Sequence, residues 1–134
     1  MLKKSTVIRV RYAETDRMGY VYYGNYAAYF EVARVELLRA AGITYRSLED
    51  EGILLPVISY EIKFLLPALY DDELMVVSTI PEAPTARIRF QYETRRDGEL
   101  LNTASTDLAF VSRSGGRPMR CPPHVLEALL RAWS

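Results

Sequence analysis

The residues best suited to chemistry lie between Tyr12 and Ala41, in YAETDRMGYVYYGNYAAYFEVARVELLRAA. Asp16 is the central carboxylate of the loop half, and Gly19 and Gly24 follow it. A carboxylate placed there can attack a carbonyl carbon or take a proton from water. The loop leads into a helix, and free backbone N–H groups near Tyr23 and Gly24 would point out of its start. The helix macrodipole favours negative charge at that end. Gly24, having no Cβ, lets another molecule approach the backbone closely. The plainer alternative for Asp16 is a turn in which it bonds its own backbone, with Gly19 reversing the chain. Five of the ten tyrosines (Tyr12, Tyr20, Tyr22, Tyr23 and Tyr26) lie in or beside this loop. An aromatic wall with a polar tip suits a partly wet pocket or an interface.

The elements that must position these residues can be read from periodicity. Residues 5–12 alternate, with Val7, Arg9 and Arg11 on one face and Thr6, Ile8, Val10 and Tyr12 on the other, which predicts a half-buried strand. The helix is expected to start near Tyr23–Asn25 with Asn25 as its cap. Tyr26, Phe30, Ala33 and Leu37 form one apolar face, Val32, Val35 and Leu38 extend it to other flanks, and Gly42 ends it. A helix apolar on most sides calls for a sheet that wraps it. A short helix over 45–51, strands over 56–66, 74–80, 86–95 and 99–111, and a last helix over 124–132 complete the reading. Asp97-Gly98 marks a hairpin turn. One strand, a long helix and four further strands make an α+β fold with a mostly antiparallel sheet.

The totals bound the function. At 134 residues one domain spanning 1–134 is expected. Seventeen basic residues balance 17 acidic ones, which gives no global reason to coat nucleic acid or an anionic membrane surface. No run approaches a membrane span of roughly 18 apolar residues. MLKKSTVIRV lacks the apolar core of a signal peptide, and the lone Cys121 has no internal disulfide partner; both point to the reducing cytoplasm. There is no GxGxxG or Walker-type loop, no HExxH and no paired-cysteine spacing, so neither a nucleotide cofactor nor a metal is expected. A Ser-His-Asp triad would have to recruit the single histidine, His124, which reads as a surface or helix-start residue.

The stretch resembles the hot-dog fold acyl-CoA thioesterases of the 4-hydroxybenzoyl-CoA thioesterase type. The match rests on Tyr12, Thr15-Asp16, Gly19, Val21, the run Tyr22-Tyr23-Gly24-Asn25-Tyr26, and Phe30, Arg34 and Leu37 on the helix. It continues through Leu55-Pro56, Pro67-Ala68 with Tyr70-Asp71-Asp72, and Gly116-Arg117-Pro118, and so covers nearly the whole chain. The resemblance implies a five-stranded sheet wrapped round the long central helix. It also implies a homodimer joined edge to edge, often paired into a homotetramer, with active sites at the dimer interface. Several relatives carry histidine where this chain has Tyr23.

Carried onto this chain, the resemblance implies hydrolysis of an acyl-CoA thioester to free acid and coenzyme A, the latter as part of the substrate and not a resident cofactor. Asp16 is then nucleophile or general base, a base role being helped by desolvation from the nearby tyrosines. The Tyr23 and Gly24 N–H groups are the oxyanion donors. Tyr12, Val21, Asn25, Tyr26 and, from its strand, Ser59 are candidates for binding substrate, with packing as the alternative for each. Glu14 is expected in solvent, and Glu31 in an ion pair with Arg34, one turn along the helix, with a place against the site of a partner chain as its alternative. Arg87, Arg89, Arg95, Arg113, Arg117 and Arg120 are candidates for the coenzyme phosphates. Rival readings are a thioesterase acting on acyl-carrier protein, a non-catalytic acyl-CoA-binding protein, and a hot-dog dehydratase or hydratase, the last disfavoured by the placing of His124.

Overall fold

The computed structural model describes residues 1–134. Strand β1 (Leu2–Arg9) passes through 3₁₀ turns at Tyr12–Glu14 and Tyr23–Asn25 into α1 (Tyr26–Ala40), and then α2 (Tyr45–Asp50). Strands β2 (Ile53–Leu54), β3 (Val57–Phe64), β4 (Glu73–Ile80), β5 (Arg87–Arg96), β6 (Glu99–Ala109) and β7 (Val111–Ser112) follow, and α3 (Pro123–Arg131) comes last. Five strands form one antiparallel sheet in the order β1-β4-β5-β6-β3. This is the α+β hot-dog arrangement expected, with α1 on the inner face of the sheet. The β2–β7 ladder was not anticipated, since each of its strands is two residues long and carries no alternation.

Strand β1 covers 2–9 and not 5–12. Its ladder runs from Leu2 opposite Ile80 to Arg9 opposite Glu73. The Val10 N–H then turns to the Asp72 carbonyl at 3.0 Å, and Tyr12 begins a 3₁₀ turn. The alternation was right in phase, but it does not mark where the chain leaves the ladder. Asp97 and Gly98 both adopt positive φ, +50° and +82°, as the tight β5–β6 hairpin requires.

Tyr26, Phe30, Ala33 and Leu37 of α1 are buried against the sheet. Phe30 stacks on Tyr92 of β5 at 4.5 Å between ring centroids, and Tyr92 lies 6.4 Å from Phe90. Ser78 of β4 donates to the carbonyls of Ala33 and Lys4, both at 3.3 Å, tying helix to sheet. Within one chain the cover of α1 is less complete than its sequence implied, because Ala28, Glu31 and Val32 are exposed.

The expected Glu31–Arg34 ion pair does not form. Arg34 turns under the helix, where Nε donates to the Tyr45 hydroxyl at 3.0 Å and Nη1 to the Tyr92 hydroxyl at 3.2 Å. The tyrosine oxygens offer acceptors inside the core rim, and the arginine stem fills apolar space there. Glu31 remains in solvent with no partner in the chain.

The helix lies over β1 and β4 and reaches β3 through Tyr26 against Phe64 and Phe30 against Tyr60, with ring centroids 5.7 and 6.1 Å apart, leaving that strand partly uncovered. Strand β3 is the outer edge of the sheet, bonded only to β6. Its apolar residues Val57, Ile58, Tyr60 and Phe64 are 39–50 % exposed. No helix is long and apolar enough to cross a membrane.

Replacing Phe30 with alanine removes the central ring of the aromatic core. It should destabilise the protein by about 3–5 kcal/mol, read as a lowered midpoint in denaturant unfolding with m unchanged.

Candidate active site

The loop between β1 and α1 is held by Glu14. Its Oε1 accepts from the Arg11 N–H at 2.8 Å and the Tyr29 hydroxyl at 2.9 Å, and its Oε2 meets the Arg11 guanidinium at 3.2 Å. The Glu14 carbonyl accepts from the Tyr22 N–H at 2.9 Å and from the Asn25 side-chain amide at 2.8 Å. Glu14 is therefore not solvated, as its charge suggested; its side chain is 14 % exposed. Burial alone would raise its pKa, but bonds from Arg11 and Tyr29 outweigh this and hold it below the ordinary glutamate value. Asn25 occupies the N-cap position of α1 as expected, but its side chain makes no cap bond. It faces back to Glu14, and a 3₁₀ turn leads into the helix.

Asp16 makes the tight turn and leaves part of itself free. Oδ1 accepts from the Met18 N–H at 2.9 Å and the Tyr20 N–H at 3.2 Å. The backbone closes the same turn, with the Gly19 N–H on the Asp16 carbonyl at 3.0 Å and Gly19 at φ +79°. The turn reading of Asp16 thus describes one oxygen. Oδ2 has no partner in the chain, and Asp16 lines a cleft of about 330 Å³.

That cleft brings together Asp16, Val21, Tyr23 and Tyr26 of the residues singled out from sequence. Met18 and Tyr20 complete the loop side, and Phe64, Leu65, Leu66 and Pro67 form the opposite wall. Eight of its ten lining residues are hydrophobic, so a carboxylate sits at the edge of an otherwise apolar space. Leu65-Leu66 before Pro67 was the available signal for the far wall; it was passed over as the end of a strand. The two walls are sewn together, since the Val21 N–H donates to the Ala68 carbonyl at 2.8 Å. Asp72 holds the 67–72 segment by accepting from the Leu69 N–H and from Arg96, at 2.8 and 2.7 Å.

The Tyr23 and Gly24 N–H groups donate to no acceptor in the chain, whereas those of Tyr22 and Asn25 are both engaged. A Cβ on Gly24 would lie 2.7 Å from the Tyr22 ring, so a side chain there would have to displace that exposed ring. Four other candidates stand elsewhere. Tyr12 is exposed and packs edge-on against Tyr70 at 5.3 Å. Gly24 and Asn25 follow Tyr23 without lining the cleft themselves, and Ser59 bonds Asp107 on the outer surface at 3.0 Å.

Of the arginines, Arg89 is held by Asp107, Arg95 by Glu93 and Arg113 by the Glu49 carbonyl, while Arg87, Arg117 and Arg120 make no such bond. His124 meets Glu51 at 2.6 Å, joining α3 to the end of α2. Burial pushes the Cys121 thiol up to about 11, away from thiolate chemistry. No cluster of His, Cys, Asp or Glu has the geometry to hold a metal.

The model of the thioesterase-like superfamily matches residues 10–129. The acyl-CoA thioesterase YbgC of Haemophilus influenzae is 33 % identical over 122 residues, covering 90 % of each chain. The DHNA-CoA thioesterase of Staphylococcus aureus superposes with a TM-score of 0.91 at 34 % identity, over 96 % of this chain and 89 % of that one. A hypothetical protein of Thermus thermophilus gives the same TM-score of 0.91 and 34 % identity, over 96 % and 98 %.

Glu14 gives the site an acid limit. Its pKa is lowered in the folded protein, so its contribution to stability is present above the unfolded value and is lost as pH falls through the folded one. The Glu14→Gln variant keeps an acceptor for Tyr29 but not the charge. Its thermal midpoint should lie below that of the native protein at neutral pH, and the gap should narrow as pH drops below the ordinary glutamate range.

Proposed function

The chain belongs to the thioesterase-like superfamily, and on that premise we propose that it hydrolyses acyl-CoA thioesters to free acid and coenzyme A. The observation that carries this reading is the meeting, on one apolar cleft, of a half-free carboxylate and the start of a helix with unspent N–H groups. Val21, Tyr26, Phe64, Leu65 and Leu66 receive the acyl chain. The thioester carbonyl sits at the cleft mouth near Tyr23, where the Tyr23 and Gly24 N–H groups stabilise the oxyanion.

Asp16 Oδ2 then acts in one of two ways. It attacks the carbonyl carbon, expelling the coenzyme thiolate and leaving a mixed anhydride that water opens. Alternatively it takes a proton from water, whose oxygen forms the new C–O bond. In both cases water is consumed, the C–S bond breaks and the thiolate leaves as free coenzyme A. The Tyr23 side chain has no imidazole to shuttle protons, so its backbone is the part that serves. Arg87, Arg117 and Arg120 are free to meet coenzyme phosphates.

The working unit in this proposal is a homodimer, itself able to pair into a tetramer. An unpaired edge strand with exposed Val57, Ile58, Tyr60 and Phe64 is a surface that chains normally cover. Joining two β3 edges would place the Phe64–Leu66 wall of the cleft beside the second chain. A buried, unpaired Cys121 fits a reducing compartment such as the cytoplasm.

The test is release of free thiol from a panel of acyl-CoAs. Asp16→Asn keeps the acceptor that Met18 and Tyr20 use, so the turn should survive while the charge is lost. Its kcat/KM should fall by about 10²-fold or more. No release from any acyl-CoA by the native protein, or an equally fast Asn variant, overturns the reading. Turnover confined to the same acyl group on carrier protein reassigns the carrier.

A further inference from the structure

Arg34 is a cation that the single chain leaves uncompensated. It is 6 % exposed, and its bonds within the chain go to the neutral hydroxyls of Tyr45 and Tyr92. Tyr92 is committed in turn to Thr106 at 2.7 Å. No carboxylate of the chain forms an ion pair with Arg34; the nearest influence is Glu31, whose charge acts on the Tyr45 hydroxyl and not on the guanidinium directly, although burying a charge without a paired counter-charge is costly. Nη2 makes no bond in the chain, yet it is not among the unpartnered polar atoms sealed from solvent. That nitrogen therefore keeps some contact with solvent.

Glu31 is the converse case. It lies one turn earlier on α1, exposed, and forms no ion pair in the chain, its charge felt only by the Tyr45 hydroxyl. At 1.5 Å rise per residue the two side chains leave the helix about 4.5 Å apart along its axis. Next to Glu31 on α1, Phe30 packs on Tyr60 of β3 with ring centroids 6.1 Å apart, and beyond that contact Tyr60 and Phe64 keep an exposed face. An anion without a cation and a cation without an anion, set side by side along a partly uncovered edge, are self-complementary under a twofold axis. In an isologous contact, residue i of one copy meets j of the other and j meets i.

We propose that the occupant of this edge is the α1 helix of a second copy, and that Glu31 of each copy closes on Arg34 of the other in two reciprocal ion pairs. This rests on the homodimer reading above and goes beyond it, because it specifies which side chains fix the register of the two helices. The axis passes between the levels of residues 31 and 34, with the helices antiparallel. The Tyr45 and Tyr92 hydroxyls hold the guanidinium ready, and the incoming carboxylate takes the nitrogen they leave free. Such a buried, hydrogen-bonded pair is best suited to setting register and partner choice.

Two charge-reversal variants test the proposal, with sedimentation for affinity and subunit exchange for partner preference. Glu31→Arg puts two cations at each contact and Arg34→Glu two anions, so each variant alone should dimerise at least about tenfold more weakly than the native chain. Mixed together they restore both pairs, one contact being Arg with Glu and the other Glu with Arg. The mixture should therefore form the heterodimer in preference to either homodimer. Should Arg34→Glu fail to fold, Glu31→Gln, altered only at an exposed position, should still weaken the native dimer. A native dimer whose affinity neither Glu31 variant changes overturns the reciprocal pairs and leaves the dimer standing. A native monomer overturns the dimer reading and the pairs with it.

Discussion

The geometry of the site depends on how Glu14 distributes its acceptors. Its carboxylate anchors the backbone of Arg11 and the hydroxyl of Tyr29, and its carbonyl anchors Tyr22 and Asn25. The bonds reach back towards β1, across to α1 and forward to the turn before the helix. Tyr22 and Asn25 are thereby fixed on both sides of Tyr23 and Gly24, which leaves those two N–H groups at the head of the helix with nothing to bond. A helix start leaves its first N–H groups without partners inside the helix, and here both residues are exposed, so a ligand can take the place of water on them. A pair left open beside a cleft is the unspent remainder of an otherwise complete network.

Much of this was legible in the sequence, and the failures share a cause. Asp16, Gly19 and the tyrosine-rich run could be located because their types and spacing are local properties. The long helix, the five large strands and the Asp97-Gly98 turn follow from periodicities that a chain shows without knowing its neighbours. The partners of Glu14 and Arg34, and of the side chain of the N-cap residue Asn25, were missed because they are far away in sequence or of an unexpected kind. Glu14 is bonded by Tyr29, 15 residues on, and Arg34 by Tyr92, 58 residues on. Charge suggested solvent for the first and an adjacent carboxylate for the second, whereas tyrosine hydroxyls supplied the contacts. The opposite wall of the cleft was missed for a similar reason, since Leu65 and Leu66 look like any strand end until Val21 is seen bonded to Ala68.

Asp16 shows that a structural and a chemical role need not compete. One carboxylate oxygen is used up by Met18 and Tyr20, which fixes the plane of the group; the other is left for chemistry. A side chain that both builds its turn and presents its reactive atom needs no separate support.

The placing of α1 over β1 and β4, with β3 only partly covered, has a thermodynamic side. A chain that cannot close its own core along Tyr60 and Phe64 borrows part of its stability from whatever covers them. If that cover is another copy, mass action enters the folding equilibrium, and the melting point rises with the amount of protein in solution. Dilution then becomes a mild denaturant, acting first on the edge strand and the cleft wall that continues from it.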